Sequence, residues 1–408
     1  MASGKVSAAS EYVFNPFADG FSEDPYPQYA ELRAKDPVHE HPIGFWVVSR
    51  YQDVCGLLRS KLSVDDRHLA PGPMADIIQS VYGDKAPRMN GLSMLDQDPP
   101  HHTRLRRLVS KAFTARSVSA LEPRVAARVG EALDRVAEAG RADLVAELAF
   151  PLPSLVISEL LGMPPIDQIR LRELTSVMMR AVELTVDPQL LAEVAAAEDE
   201  LLAMAHEAIA WKRNRPGEDL LTALIAAEED GDVLSDAELA AQVMLLYMAG
   251  HETTVGLISN GLLALLNHPG QLAVLRKRPD LIANAVEEFL RYDGPSHMAK
   301  RITLEPVCVG DKVIPRGAMV ILSLASANRD ESFWGADAHE LRLDRANAQQ
   351  HVGFSVGMHH CLGAALARLE GRVAISAVVR RFPGLALEEA RQNGRMNLRG
   401  LDVLSVSV

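Results

Sequence analysis

This sequence predicts a mainly α fold with a minor β region, on three observations. Helical apolar periodicity dominates residues 100 to 292 and 362 to 381, one stretch after Ser235 can run as a single very long helix, and β-branched runs are few and short. Taken in chain order, Phe45-Trp-Val-Val48 reads as the first strand. After the long helix, Arg301-Ile-Thr-Leu304, Val307-Cys-Val-Gly310 and Met319-Val-Ile-Leu322 have the β-branched content and turn punctuation of short strands, and Leu401 to Val408 alternates like a last one. The β subregions therefore fall near residues 38–50, 300–325 and 395–408. The chain has 408 residues, 48% hydrophobic and 24% charged, enough to bury a large core. No Pro/Gly/Ser-rich linker, repeat or low-complexity run divides it, so residues 1–408 read as one domain.

The long helix is the clearest element. Ser235-Asp-Ala-Glu238 has the form of a capping box and no proline follows until Pro269, so a helix spans about Asp236 to Asn267, roughly 48 Å at 1.5 Å per residue. Apolar on nearly all faces, it should cross the core. In its middle sits Ala249-Gly250-His251-Glu252-Thr253-Thr254. A glycine, a carboxylate and two hydroxyls are each unfavourable in a buried helix, so together they mark a polar site. The plainer alternative is a kink with threonines bonded back one turn, and we take site and kink to be the same feature. Further on, Glu288-Phe-Leu-Arg291 puts a carboxylate and a guanidinium on one helix face, which by itself is a common surface pair.

Charge and cysteine content exclude several classes. A formal net charge of -12 argues against a general nucleic-acid binder. Cys55, Cys308 and Cys361 lie far apart with no CxxC pair, so neither a disulfide framework nor a structural zinc site is indicated, and a reducing cytoplasm fits. The first residues carry no apolar signal region. The longest apolar stretch, Leu239 to Gly250, is about 12 residues, short of the roughly 20 needed to span a bilayer. No membrane anchor is expected.

Cys361 stands in Phe354-Ser-Val-Gly357-Met-His359-His-Cys361-Leu-Gly363, directly before an apolar helix. Glycines at 357 and 363 permit a tight loop that brings sulfur against a flat ligand, and the helix start would stabilise a thiolate. Taken alone, the loop also admits an ordinary buried thiol. The string matches Phe-x-x-Gly-x-His/Arg-x-Cys-x-Gly at every fixed position, and the chain resembles a soluble bacterial cytochrome P-450, from Phe21-Ser-Glu-Asp-Pro25-Tyr-Pro27 to its end. Ser355 departs from the second glycine of many relatives.

The resemblance implies a cytochrome P450 fold with the long helix crossing a heme b whose iron takes Cys361 as axial thiolate. It implies a heme-thiolate monooxygenase that inserts one atom of O2 into an apolar small molecule by hydroxylation or epoxidation. Ala249, Gly250, Glu252 and Thr253 match the oxygen-activation segment: Gly250 would open the backbone and leave room for dioxygen, Thr253 would hydrogen-bond the distal oxygen and Glu252 would relay protons. Thr254 would be structural and His251 would point outward. His102 and Arg106, four apart on one helix face, match a propionate clamp completed by Arg301 and His359, whereas His101 and His360 are exposed decoys. Phe354 would pack near the sulfur and Gly363 beside it. Glu288 and Arg291 become a buried structural pair behind the heme.

By the same resemblance the substrate pocket is lined by residues 67–94, 177–185 and 296–299, and by Leu245, Met248, His297 and Met298. His297 would offer a polar contact. No flavin domain or cluster-binding cysteine set accompanies the loop, so electrons come from a ferredoxin with its reductase, and the enzyme acts as a monomer. Arg104, Arg107, Lys111, Arg368 and Arg372 are either solvated helix faces or a docking patch for that acidic donor. A peroxide-driven peroxygenase and a non-catalytic heme sensor are the alternative functions.

Overall fold

The computed structural model describes residues 12–82, 91–164, 168–180, 183, 188–229 and 231–408. The capping box forms as the sequence predicts: the Ser235 hydroxyl accepts the Glu238 N–H at 3.3 Å and the Glu238 carboxylate accepts the Ser235 N–H at 2.9 Å. Two donors that a helix start leaves unpaired are thereby satisfied. From there Asp236–Asn267 runs for 32 residues. Helices Pro151–Leu161, Pro188–Arg213, Ile282–Asp293 and Ala364–Arg381 pack around it, which is why it is apolar on nearly every side. The largest apolar cluster reaches from Met94 to Val406 and takes in Leu245 and Met248.

The strands are few and peripheral. Val38–His41 and Phe45–Val48 form a hairpin, Met319–Ser323 pairs parallel to the second of these, and Met298–Thr303 and then Leu62–Ser63 extend the sheet antiparallel. Val307–Val309 and Lys312–Ile314 make a separate hairpin. The last predicted strand exists as Leu401–Ser407, but residues 395–400 before it hold only an isolated bridge from Leu398 to Ser296, and its partners are Ala386–Gln392 and Arg141–Asp143. Ala386–Gln392 carries no strand signal because it is exposed along nearly its whole length, so no buried face imposes alternation.

Glu288 and Arg291 are fully buried, the buried pair that the resemblance implies and not the surface pair that their spacing alone allows. Arg291 donates from Nε and Nη2 to the Glu288 carboxylate at 2.7 and 2.8 Å and spends its remaining bonds on the carbonyls of Asn328, Ala338 and Glu340. Arg345 adds a second guanidinium at 3.2 Å, and the Arg342 N–H a further donor at 2.9 Å. Burial alone would be costly for either ion, and only this complete pairing offsets it. Replacing Arg291 with Ala leaves Glu288 buried and underpaired, so the Arg291→Ala variant should lose about 3–5 kcal/mol of unfolding free energy. A urea titration monitored by far-UV circular dichroism measures the loss, and an unchanged midpoint contradicts the assignment.

Candidate functional site

Within the long helix, Tyr247, Met248 and His251 are buried, yet Ala249 between them is exposed and Gly250, Glu252 and Thr253 are half-exposed. A helix enclosed before and after this segment therefore opens onto internal space here. Thr253 Oγ1 donates to the Ala249 carbonyl at 2.7 Å, the back-bond one turn away that the sequence allowed. The helix is continuous through Gly250, so the expected opening of the backbone is absent. A methyl group at 250 would meet only Ile157, at 3.5 Å, an ordinary contact, and surrounding protein does not by itself demand glycine. His251 is corrected from outward-facing to buried: its Nε2 lies 3.2 Å from the Phe150 carbonyl and its ring meets Phe150 edge-on.

The cysteine loop is closed by backbone bonds, Cys361 N–H to the Phe354 carbonyl at 2.9 Å and Ser355 N–H to the Val352 carbonyl at 2.8 Å. Gly357 has φ +78°, and a Cβ there would lie 2.7 Å from the Leu58 carbonyl, so glycine is required. Gly363, at φ -79°, has no such need. Ser355, where relatives carry a second glycine, adopts φ +58° as the one non-glycine residue in that region among the described residues. Phe354 is half-buried beneath the Arg368 guanidinium, 4.7 Å from the ring centre.

Cys361 is accessible on one side and enclosed by protein on the others. That enclosure pushes its thiol up, against the opposing pull of the Gly363 and Ala364 N–H groups and the charges of Arg106 and Arg368. The helix start thus favours the thiolate, as the sequence suggests, while burial opposes it. A cation coordinated by the sulfur would add to the pull of the helix start.

Four donor side chains converge beside this loop. The rings of His102 and His359 are 4.3 Å apart, and both nitrogens of His102 and Nε2 of His359 are buried without a hydrogen-bond partner. Arg301 is buried and bonds the Lys300 carbonyl at 2.7 Å, while Arg106 bonds the His360 carbonyl at 2.6 Å. Among the described residues no carboxylate pairs with either arginine. Burial and the charges of Arg301, His102 and Arg106 push His359 down to about 3. Buried donors without acceptors are rare and costly, and two guanidiniums crowding two imidazoles ask for an anion. The set fits the paired carboxylates of a heme, with Cys361 adjacent as the metal ligand. His101 and His360 are exposed, as expected.

The pocket assignments fare unevenly. Leu245 and Met248 are buried on the long helix. His297 is corrected: fully buried, it faces Tyr29 and Asp293, 3.5 Å and 3.8 Å away, and offers nothing to a substrate. Met298 packs with Phe14, Phe21 and Tyr29, and it stands three residues from Arg301 on a strand, hence on the opposite sheet face. Of the lining segments 67–94 and 177–185, residues 83–90, 181–182 and 184–185 lie outside the described residues. Arg104 is drawn to Glu238 and Asp232, away from any patch beside Cys361. The side chain of Lys111 lies outside what the structure describes.

Two polar residues here were not singled out in the sequence. Arg395 pairs with Glu252 at 3.1 Å and reaches Ser176 at 3.3 Å. Glu183 accepts the N–H groups of Met396, Asn397 and Leu398 at 2.9, 2.9 and 3.0 Å. Every one of these contacts spans more than 140 residues, so nothing near either residue in the sequence marks it.

The family model described as Cytochrome P450 matches residues 188–401. The chain is 42% identical to cytochrome P450 107B1 of Saccharopolyspora erythraea over 96% of both chains. It is also 42% identical to the cytochrome P450 monooxygenase PikC of Streptomyces venezuelae, over 90% of this chain and 86% of PikC. Its fold is similar to that of a myxobacterial cytochrome P450, CYP267B1, solved in complex with myristic acid: TM-score 0.87, 35% identity, 96% of this chain and 98% of that one.

Burial is the leading reason that His297 is held down at about 4, against an ordinary 6.5. Between those values the unfolded chain binds a proton that the folded chain refuses, so stability falls as pH falls from about 6.5 to 4. The contribution is on the order of 3 kcal/mol when complete. The wild-type urea midpoint should therefore drop more steeply across that window than the midpoint of His297→Gln, and parallel curves would contradict the burial.

Proposed function

The chain belongs to the cytochrome P450 family, and on that premise we propose which of its residues carry out each part of the monooxygenase reaction. The overall change is that substrate C–H, O2, two electrons and two protons give C–OH and water. Bound heme b supplies the iron at which O2 is reduced, with a cysteine thiolate as axial ligand. Cys361 is that ligand in our reading, supported by its place beside the anion-seeking donors. His102, His359, Arg106 and Arg301 hold the propionates.

Two protons must reach the oxygen that leaves as water, and water must otherwise be kept out. Thr253 presents its hydroxyl on the accessible side of the long helix, with Ala249 one turn before it. Its one proton is given to the Ala249 carbonyl at rest, so relaying requires the hydroxyl to turn from that carbonyl, pass its proton to one neighbour and take a proton on its lone pair from another. Glu252, one residue earlier and fixed by Arg395, is the acid that resupplies it. Gly250 keeps that side of the helix narrow. The substrate is an apolar organic molecule, with Leu245 and Met248 among the residues meeting it, which is supported by their place on the helix that carries Thr253. Residues 1–408 are one domain, a reading supported by the apolar cluster that joins Met94 to Val406.

A separate redox partner delivers the electrons, and we assign that role to a ferredoxin reduced by its own reductase. Arg107, exposed, and Arg368 and Arg372, bound to Glu287 and Glu122, supply positive charge on helices flanking the cysteine loop. We take the enzyme to act as a monomer; a cytoplasmic location is supported by three free cysteines, and among the described residues no helix is long and apolar enough to cross a membrane.

The observation that carries the assignment is Cys361 beside unpaired donors. Cys361→His should abolish the red-shifted Soret band of the reduced CO complex, and a variant that keeps the band removes Cys361 as ligand. Thr253→Ala should retain substrate binding while product formed per NAD(P)H falls several-fold and hydrogen peroxide rises. Unchanged coupling would count against the hydroxyl. Reversing charge at Arg107 and Arg372 together should slow stopped-flow reduction by an acidic ferredoxin and flatten its salt dependence, with substrate-induced spectral shifts intact. Unaltered reduction would mean that the donor docks elsewhere.

A further inference from the structure

Gln242 is fully buried on the long helix, and its neighbours Ala240, Ala241, Val243 and Met244 are apolar and buried too. An amide there is unfavourable unless its oxygen and nitrogen both find partners. Both partners belong to one loop. Oε1 accepts the Met94 N–H at 3.2 Å, and Nε2 donates to the Leu92 carbonyl at 2.9 Å. Gripping a donor and an acceptor two residues apart fixes the position and the orientation of that backbone. The other bonds of the loop are largely internal: the Ser93 hydroxyl donates to Asp96 at 2.7 Å and accepts from the Leu95 N–H at 3.3 Å, and the Gln97 amide donates to the Gly91 carbonyl. A preformed turn is thus held against the helix by one side chain.

The helical register says what that turn faces. Gln242, Leu245, Ala249 and Thr253 stand at i, i+3, i+7 and i+11 and share one helix face. Ala249 and Thr253 are both accessible members of the oxygen-activation segment, and Gln242 lies about 10 Å before Ala249 along the axis. In the other direction the turn leads through Asp98-Pro-Pro100 into helix His101–Ala112, which carries His102 and Arg106. The Gln242 amide therefore spans the gap between the helix that lines the reaction space and the segment that leads to the cofactor clamp.

We infer that Gln242 is a specificity-determining positioning residue: by clasping residues 92–94 it sets a wall about 10 Å from Ala249 and limits how far a substrate extends along the long helix. The inference rests on the heme-thiolate reading above. It concerns substrate length and takes no part in the chemistry.

The test uses the full-length heme-loaded protein and a series of n-alkylimidazoles from butyl to dodecyl, whose ring nitrogen binds the iron with a spectral shift. In the wild type, affinity should rise by up to about fourfold per methylene while each added group is buried. The rise should stop at the length that meets the wall. Gln242→Leu keeps the bulk and removes both hydrogen bonds, so the stop should move outward by two or more methylenes, with butylimidazole affinity within twofold of wild type. Gln242→Glu keeps the acceptor for Met94 and loses the donor to Leu92, so its stop should fall between the two. Hydrogen exchange at the Met94 amide should quicken at least tenfold in the Leu variant. A stop at the same length in all three proteins, or an unchanged Met94 amide, overturns the inference. Should the Leu variant fail to fold, the Glu variant decides alone, and a stop equal to wild type is the overturning result. No spectral shift even in the wild type would instead overturn the heme-thiolate reading.

Discussion

Glu288 is a carboxylate without access to water, and the half of the molecule that carries the cysteine loop is arranged around satisfying it. Its pairing with Arg291 and Arg345 does not end in a salt bridge. Arg291 also holds the Asn328 carbonyl, and the Asn328 side chain accepts the Val352 N–H at 2.8 Å while donating to the Leu290 carbonyl at 3.3 Å. Val352 in turn accepts from Ser355, and Phe354 accepts from Cys361. An unbroken chain of bonds thus runs from the buried ions to the sulfur, most of it through backbone. Side chains of the loop can vary so long as the chain path is kept, which is how Ser355 can occupy a left-handed position that usually goes to glycine.

How much of this was legible depends on where the partners lie in the chain. The capping box, the long helix and the cysteine loop are local signals, with every informative residue inside one window, and each was readable. The clamp was readable in part, because His102 and Arg106 share a turn. Arg301 and His359 were placed only by family likeness. His251 and His297 were misplaced for one physical reason: a histidine is as suited to a surface as to a buried pocket, and the choice was made by Phe150, and by Tyr26 and Tyr29, far away in sequence. Gln242 shows the same limit, since nothing within the helix says that a glutamine among alanines and methionines has a loop to bind.

Met298 and Ala386–Gln392 failed differently. Met298 was assigned to the pocket with the rest of residues 296–299, whereas it packs with Phe14, Phe21 and Tyr29, and strand alternation sets it on the sheet face opposite to Arg301. The strand at Ala386 lacks the half-buried pattern that rule needs, because its side chains are held in place by pairing alone.

The unaccompanied cluster of His102, His359, Arg106 and Arg301 separates two tasks that a prosthetic group is often assumed to join. On the assignment proposed above, these four side chains answer to the carboxylate rim of a macrocycle and are indifferent to what occupies its centre, which Cys361 alone discriminates. Selection of the cofactor is therefore divided between a rim reader and a core reader. An iron-free porphyrin would still be recognised and seated, and the identity of the metal would be policed by one atom of sulfur.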